Sequence, residues 1–162
     1  MTHDIAFIGG GNMAEAIARG VIAAGVLNAE RVIVADPVAT RRQVFTGLGC
    51  ATTDDTPAAA ADAPRLLLAV KPQAMDEVLT AIAGATADEA LLISIAAGVS
   101  IGRIADALPG RRVVRVMPNT PMLVGAGMSA LAKGPGATDD DLVWARRLFD
   151  AGGETIVLGG ES

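Results

Sequence analysis

The chain has 162 residues, enough for one domain with a sizeable buried core. Apolar residues make up 51% of it, but with three Phe, one Trp and no Tyr the core must rest on Ala, Val, Ile and Leu. A net charge of −5 argues against a nucleic-acid footprint, the single Cys50 excludes a disulfide framework, and the single His3 leaves no zinc cluster.

Short apolar runs alternate with helical stretches, the pattern of strand-helix units around a parallel sheet. Residues Ile5 to Ile8 are predicted as a first strand and Asn12 to Ala24 as a helix. Met13, Ile17 and Val21 share one face of that helix, and Gly25 ends it. A second strand is expected over Arg31 to Ala35 and a second helix over Val38 to Leu48. Cys50 then falls at a helix-to-strand turn with no histidine near it in sequence, so it reads as a small buried apolar residue. A short helix, Ala58 to Ala61, follows Pro57. Next come a strand from Leu66 to Val70, a helix from Ala74 to Ala83, and a strand from Leu91 to Ile95. Ser100 is placed as the cap of a helix reaching Leu108, with a strand over Arg112 to Met117 after it. The last stretch reads as strand Met128 to Ala132, helix Thr138 to Asp150 and strand Thr155 to Leu158. Thr138 and Asp141 have the spacing of a capping box. His3, next to the amino terminus, is expected to be solvated. The amino terminus runs straight into a strand without a signal-type segment, and no apolar run has membrane-spanning length. A cytoplasmic protein is the expectation.

The chemistry concentrates in Ile8-Gly9-Gly10-Gly11-Asn12-Met13-Ala14, a GxGxxA pattern between a buried strand and an amphipathic helix. Gly9 permits the tight turn out of the strand. Gly11 removes a side chain that would keep a pyrophosphate from the backbone, and Ala14 lets helix and strand pack closely. The helix amino terminus then offers free N–H groups and a partial positive charge to phosphates. The predicted fold class is therefore α/β, a Rossmann-type doubly wound sheet, parallel over its first five or six strands and mixed at one edge.

Asp36 ends the second strand, 27 residues after Gly9, and suits hydrogen bonding to an adenine ribose, which favours NAD. Arg41 and Arg42 follow closely and could neutralise a 2′-phosphate, which favours NADP. The choice between NADP and NAD stays open on sequence grounds. Three further loops fall at strand carboxyl ends: Val70-Lys71-Pro72-Gln73, Ile95-Ala96-Ala97-Gly98 and Met117-Pro118-Asn119-Thr120-Pro121. Small residues in the second would admit a flat ring, and Pro72, Pro118 and Pro121 would stiffen the loops around it.

Taken in order, Ile8 to Ala14, Ala69-Val70-Lys71-Pro72-Gln73, Ser94 to Ser100 and Arg115-Val116-Met117-Pro118-Asn119-Thr120-Pro121 closely resemble the motifs of pyrroline-5-carboxylate reductases. The tail Val124-Gly125-Ala126-Gly127-Met128 continues the match. The resemblance implies an enzyme of proline biosynthesis that reduces the C=N bond of 1-pyrroline-5-carboxylate to L-proline with NADPH or NADH. It implies cofactor contacts at Ile8, Gly9, Gly10, Gly11, Asn12 and Met13, at Asp36, at Ala69, Val70, Lys71 and Pro72, and at Ala96, Ala97 and Gly98. Family members often carry Asn at the position of Thr56, a further cofactor contact; Thr keeps a hydroxyl and loses the amide. The family also has a carboxyl-terminal helical domain that forms the dimer and holds the substrate. Residues 1–158 are accordingly expected to be the dinucleotide-binding domain, and 159–162 the start of a linker to that absent domain. Homo-oligomerisation is expected of the full-length protein, with no nucleic-acid or membrane partner. No residue here reads as a general acid, since His3 is remote from the crevice and Lys71 lies beside the cofactor. Two other readings are a β-hydroxyacid or 6-phosphogluconate dehydrogenase-like reductase and a stand-alone dinucleotide-binding redox sensor.

Overall fold

The computed structural model describes residues 1–118, 127–151 and 153–157. They form one eight-stranded sheet in the order β3-β2-β1-β4-β5-β6-β7-β8. Its strands are β1 (Ile5–Ile8), β2 (Val32–Ala35), β3 (Ala51–Thr53), β4 (Arg65–Leu68), β5 (Leu91–Ser94), β6 (Arg112–Pro118), β7 (Gly127–Lys133) and β8 (Gly153–Val157). The first six are mutually parallel, with Ile8 beside both Ala35 and Leu68. β7 runs antiparallel to β6, and β8 is parallel to β7, so the mixed edge lies where expected.

Among the described residues six α-helices cover the two faces: α1 (Asn12–Ala23), α2 (Ala39–Gly47), α3 (Thr56–Ala61), α4 (Met75–Ile82), α5 (Ile101–Ala107) and α6 (Asp139–Asp150). Alternation along the strands divides the core between them. Ile5, Phe7 and Leu67 pack with Ile17 and Val21 of α1, Phe45 of α2 and Phe149 of α6. Ala6, Ile8, Leu66 and Leu68 pack with Ala59 of α3, Leu79 of α4 and Ile104 of α5. All four β1 residues are buried, which is why these strands read as unbroken apolar runs. Cys50 is buried, and desolvation pushes its thiol pKa up.

Local signals start the helices. The Ser100 hydroxyl accepts from the Arg103 N–H at the head of α5. At α6 the Thr138 hydroxyl accepts from the Asp141 N–H while the Asp141 carboxylate accepts from the Thr138 N–H, completing the capping box. α3 begins at Thr56 rather than Ala58. The Asp55 carboxylate accepts from the Ala58 N–H, and Pro57 sits in the first turn, where its missing N–H would have had no partner. Among the described residues no helix is long and apolar enough to cross a membrane.

His3 departs from expectation: it is half-buried, and its Nδ1 lies 2.6 Å from the Asp62 carboxylate. Asp62 also accepts from the Thr2 N–H at 3.0 Å and the Thr2 hydroxyl at 2.8 Å, so the turn after α3 anchors the amino terminus. The Thr2 bonds first, and His3 after them, hold the Asp62 carboxyl at about 2, below its ordinary 3.8. A lowered folded-state pKa stabilises the fold above the unfolded value, and the contribution is lost as pH falls through the folded one. The stability difference between the wild type and Asp62→Asn should therefore be constant above about pH 5 and shrink between about pH 4 and 2. Denaturant unfolding across that range checks it; a difference that does not change with pH would contradict the anchoring role.

Candidate functional site

A cleft of about 530 Å³ opens at the carboxyl ends of β1, β2 and β4. In the strand order the connections diverge between β1 and β4, which is the switch point where open parallel sheets bind ligands. Ile8, Gly9, Gly10, Gly11, Asp36, Thr56, Ala69, Val70 and Lys71 all line this cleft. A separate cavity of about 590 Å³ lies at the opposite end, between Arg65, Arg112 and the acidic Asp88 and Glu89. That one is at the amino ends of the strands, where no loop carries a ligand motif.

The three glycines of the turn answer three different demands. Gly9 has φ +102°, and a Cβ there would lie 2.8 Å from the Ala69 carbonyl oxygen. The Gly9 N–H donates to the Ala35 carbonyl at 2.8 Å, so the turn is stitched between β2 and β4. Gly10 is buried, and its Cβ would meet the Phe45 ring at 2.9 Å and Val34 at 3.3 Å. Gly11 is exposed, and a Cβ on it would meet nothing within 4 Å. Its missing side chain therefore does nothing for the packing of the chain itself. It keeps open the approach to the amino terminus of α1, which carries no side-chain cap. Free N–H groups beside an open approach suit a phosphate, so the residues present fit the pyrophosphate of a dinucleotide.

Charge around the turn is arranged to keep that end positive. Glu15 stands in the first turn of α1, where a bare carboxylate would compete with a bound anion. Arg19 and Arg41 neutralise it at 2.8 and 2.9 Å, and these bonds hold its pKa below the ordinary value. The Arg41 Nε also donates to the Gly10 carbonyl at 2.7 Å, and the guanidinium lies 5.9 Å from the Phe45 ring centre. Arg42 donates to the Asp36 carbonyl at 2.9 Å. Both oxygens of the Asp36 carboxylate accept backbone N–H bonds, from Gly10 and from Val38, each at 2.8 Å.

The remaining predicted positions are spread more widely. Asn12 and Met13 open α1 directly after the turn, and Pro72 opens a single 3₁₀ turn, Pro72–Ala74, after Lys71. Ala96, Ala97 and Gly98 follow β5, the strand beyond β4, and do not line the cleft. Ala96 is buried while Ala97 and Gly98 are exposed. Asn119, Thr120 and Pro121, together with residues 124–126 of the tail, lie outside the described residues. Residues 158–162 lie outside them as well.

The cleft also has lining that motif reading missed: Pro37 and Val38 at one rim, and Glu77, Val78 and Ala81 on α4. Val38 is half exposed at the position preceding α2, where a polar cap is usual. An apolar residue at a cap position was the signal available for it. On α4, Met75, Leu79 and Ile82 are buried, which leaves Val78 and Ala81 as an adjacent apolar strip three residues apart.

Residues 4–98 match the family described as NADP oxidoreductase, coenzyme F420-dependent. The chain belongs to this family. The chain is 43% identical over 159 residues to a pyrroline-5-carboxylate reductase of Haemophilus influenzae, covering 98% of this chain and 58% of that protein. The structure of a pyrroline-5-carboxylate reductase from Coxiella burnetii superposes with a TM-score of 0.92 at 34% identity, over 99% of this chain and 60% of that one. The Plasmodium falciparum pyrroline carboxylate reductase with NADP bound gives a TM-score of 0.83 at 26% identity, over 96% of this chain and 57% of that one. The chain thus spans 58% of the length of its Haemophilus relative.

Proposed function

We propose that this chain is the dinucleotide-binding part of a pyrroline-5-carboxylate reductase, which reduces 1-pyrroline-5-carboxylate to L-proline with NAD(P)H. The observation that carries the reading is the Gly9–Gly11 turn at the switch point, open at Gly11 and facing an uncapped helix amino terminus. The high identity to reductases of that name supports the substrate. When bound, the dinucleotide supplies the hydride that the imine carbon accepts. In this reading Gly9, Gly10, Gly11, Asn12 and Met13 seat the pyrophosphate with Ile8 beneath it, and Asp36 faces the adenine ribose. Thr56, Ala69, Val70, Lys71 and Pro72 border the path towards the nicotinamide, and Ala96, Ala97 and Gly98 lie furthest along it.

The ionisable lining of the cleft is Asp36, Lys71 and Glu77. Among the described residues, none of these three is in a hydrogen-bonded acid–base pair of the kind that moves protons in catalysis. In this reading the chain binds and orients the dinucleotide, and the part of the longer relatives that it does not span holds the imine. Assembly into a homo-oligomer belongs to that longer protein, and the single buried thiol and acidic surface suit a cytoplasmic setting. Titration of the chain with NADH and NADPH, followed by nicotinamide fluorescence, is expected to show saturable binding with negligible turnover of 1-pyrroline-5-carboxylate. Absence of any dinucleotide binding would overturn the reading. Robust turnover would overturn the assignment of substrate orientation to residues outside the chain.

A further inference from the structure

We infer that the cavity at the amino ends of the strands is a second binding site, which takes a small zwitterion with its carboxylate against Arg65 and its ammonium against Asp88 and Glu89. The backbone brings these charges together. Arg65 opens β4 and Arg112 opens β6, and both stand in register with Leu91 of β5 between them. Asp88 and Glu89 lead into that same middle strand. All four residues line one cavity of about 590 Å³, a size usual for small-molecule sites. Its walls are tied to one another. The Leu91 N–H donates to the Pro64 carbonyl at 3.0 Å and the Arg112 N–H to the Ala90 carbonyl at 3.1 Å. Arg111 fixes the approach to the acids, donating to the carbonyls of Thr86 at 2.8 Å and Ala87 at 3.2 Å.

Opposite charges line this cavity without pairing. Among the described residues no ion pair joins Asp88 or Glu89 to an arginine, and none reaches Arg65. The Arg65 guanidinium is instead half-buried, 4.2 Å from the Trp144 ring centre. Burial lowers its pKa, as befits a cation that has lost water without gaining a full counter-ion. The acids whose charge reaches it, Asp4 and Asp141, already have arginines of their own, Arg31 and Arg112, each at 2.9 Å. A guanidinium fixed on an aromatic face holds its donors in one plane, which suits the two oxygens of a carboxylate. Asp88 and Glu89 would repel a simple anion, and the arginines would repel a simple cation. A ligand bearing both charges satisfies both sets. Pro64, Ala87 and Ala90 add apolar lining, so a free amino acid or a short peptide with an aliphatic side chain fits.

The test is calorimetric titration of the 162-residue chain with L-leucine and glycyl-L-leucine, whichever binds more tightly showing whether the source is a free amino acid or a peptide. For the tighter of the two, the amidated form and the N-acetyl form, each lacking one charge, are expected to bind at least about tenfold more weakly. Arg65→Met, which keeps an apolar stem on Trp144, should weaken the zwitterion by a similar factor. Should that variant fail to fold, Asp88→Asn combined with Glu89→Gln alters only exposed side chains. It should weaken the zwitterion until it binds no better than its N-acetyl form. Saturating NADH should leave the zwitterion's affinity unchanged. No binding of either zwitterion overturns the inference, as does equal binding of the singly charged forms or an affinity indifferent to these variants. Displacement by NADH would place the ligand in the other cleft and overturn it too, leaving the dinucleotide reading intact.

Discussion

Gly9→Ala is expected to destabilise the fold by about 2–5 kcal/mol, a large part of the total for a domain of this size. Two separate costs combine. A residue with a Cβ at φ +102° pays about 1–2 kcal/mol of backbone strain. The new methyl would also stand 2.8 Å from the Ala69 carbonyl oxygen and 2.9 Å from its carbon, and main-chain atoms cannot yield as a side chain can. Forcing β1 and β4 apart at that point adds about 1–3 kcal/mol, typical of overpacking. Urea unfolding measures the loss as a lower midpoint at unchanged slope. A midpoint close to that of the wild type would show that the turn relaxes more easily than its stitching between β2 and β4 implies.

Gly11→Val should do the reverse: leave stability nearly untouched and weaken NADH binding about a hundredfold, by denying the pyrophosphate its approach to the backbone. The backbone at Gly11 is extended, φ −80° and ψ −170°, a conformation open to any residue. Apart from its chain neighbours, no described residue comes within 4 Å of the added Cβ, so the first carbon of the new side chain enters open space. The melting temperature and the dissociation constant, measured on the same preparation, check both halves. Unchanged affinity would remove the phosphate seat from this turn. The contrast between the two glycines separates their duties: the first serves the chain, the second serves the ligand.

That separation also shows how far the sequence could be read. The roles of Gly9 and Gly11 were legible because the pattern has a known geometric meaning. Gly10 was not, since its constraint comes from Phe45 and Val34, on elements that no local pattern ties to the turn. The strands β1, β4 and β5 stood out because burial on both faces leaves continuous apolar runs. β3 did not, because Ala51, Thr52 and Thr53 are half-buried and too few to set a period. α3 starts two residues before the expected Ala58, because Pro57 sits inside its first turn and does not mark a boundary. The burial of His3 has no local signal, because its partner Asp62 is 59 residues away in sequence.

In the site, residue identity was easier to read than residue state. Asp36, Arg41 and Arg42 could be listed as opposing votes on the cofactor. Which of them is free to vote depends on contacts made across the fold, namely Gly10 N–H to Asp36 and Glu15 to Arg41. The α4 strip was missed because Val78 and Ala81 look like ordinary helix residues until β4 places them beside the turn.

The central position of β1 has a consequence for how the protein is made. It leaves the ribosome before every other described strand, yet Ala6 pairs with Leu66, 60 residues later. At about 5–20 residues per second, one edge of an apolar strand waits on the order of 3–12 s for its neighbour during synthesis. A nascent chain in that interval presents an open, adhesive edge to anything nearby. Slowing translation between β2 and β4 should therefore lower the yield of native protein without altering the stability of what does fold.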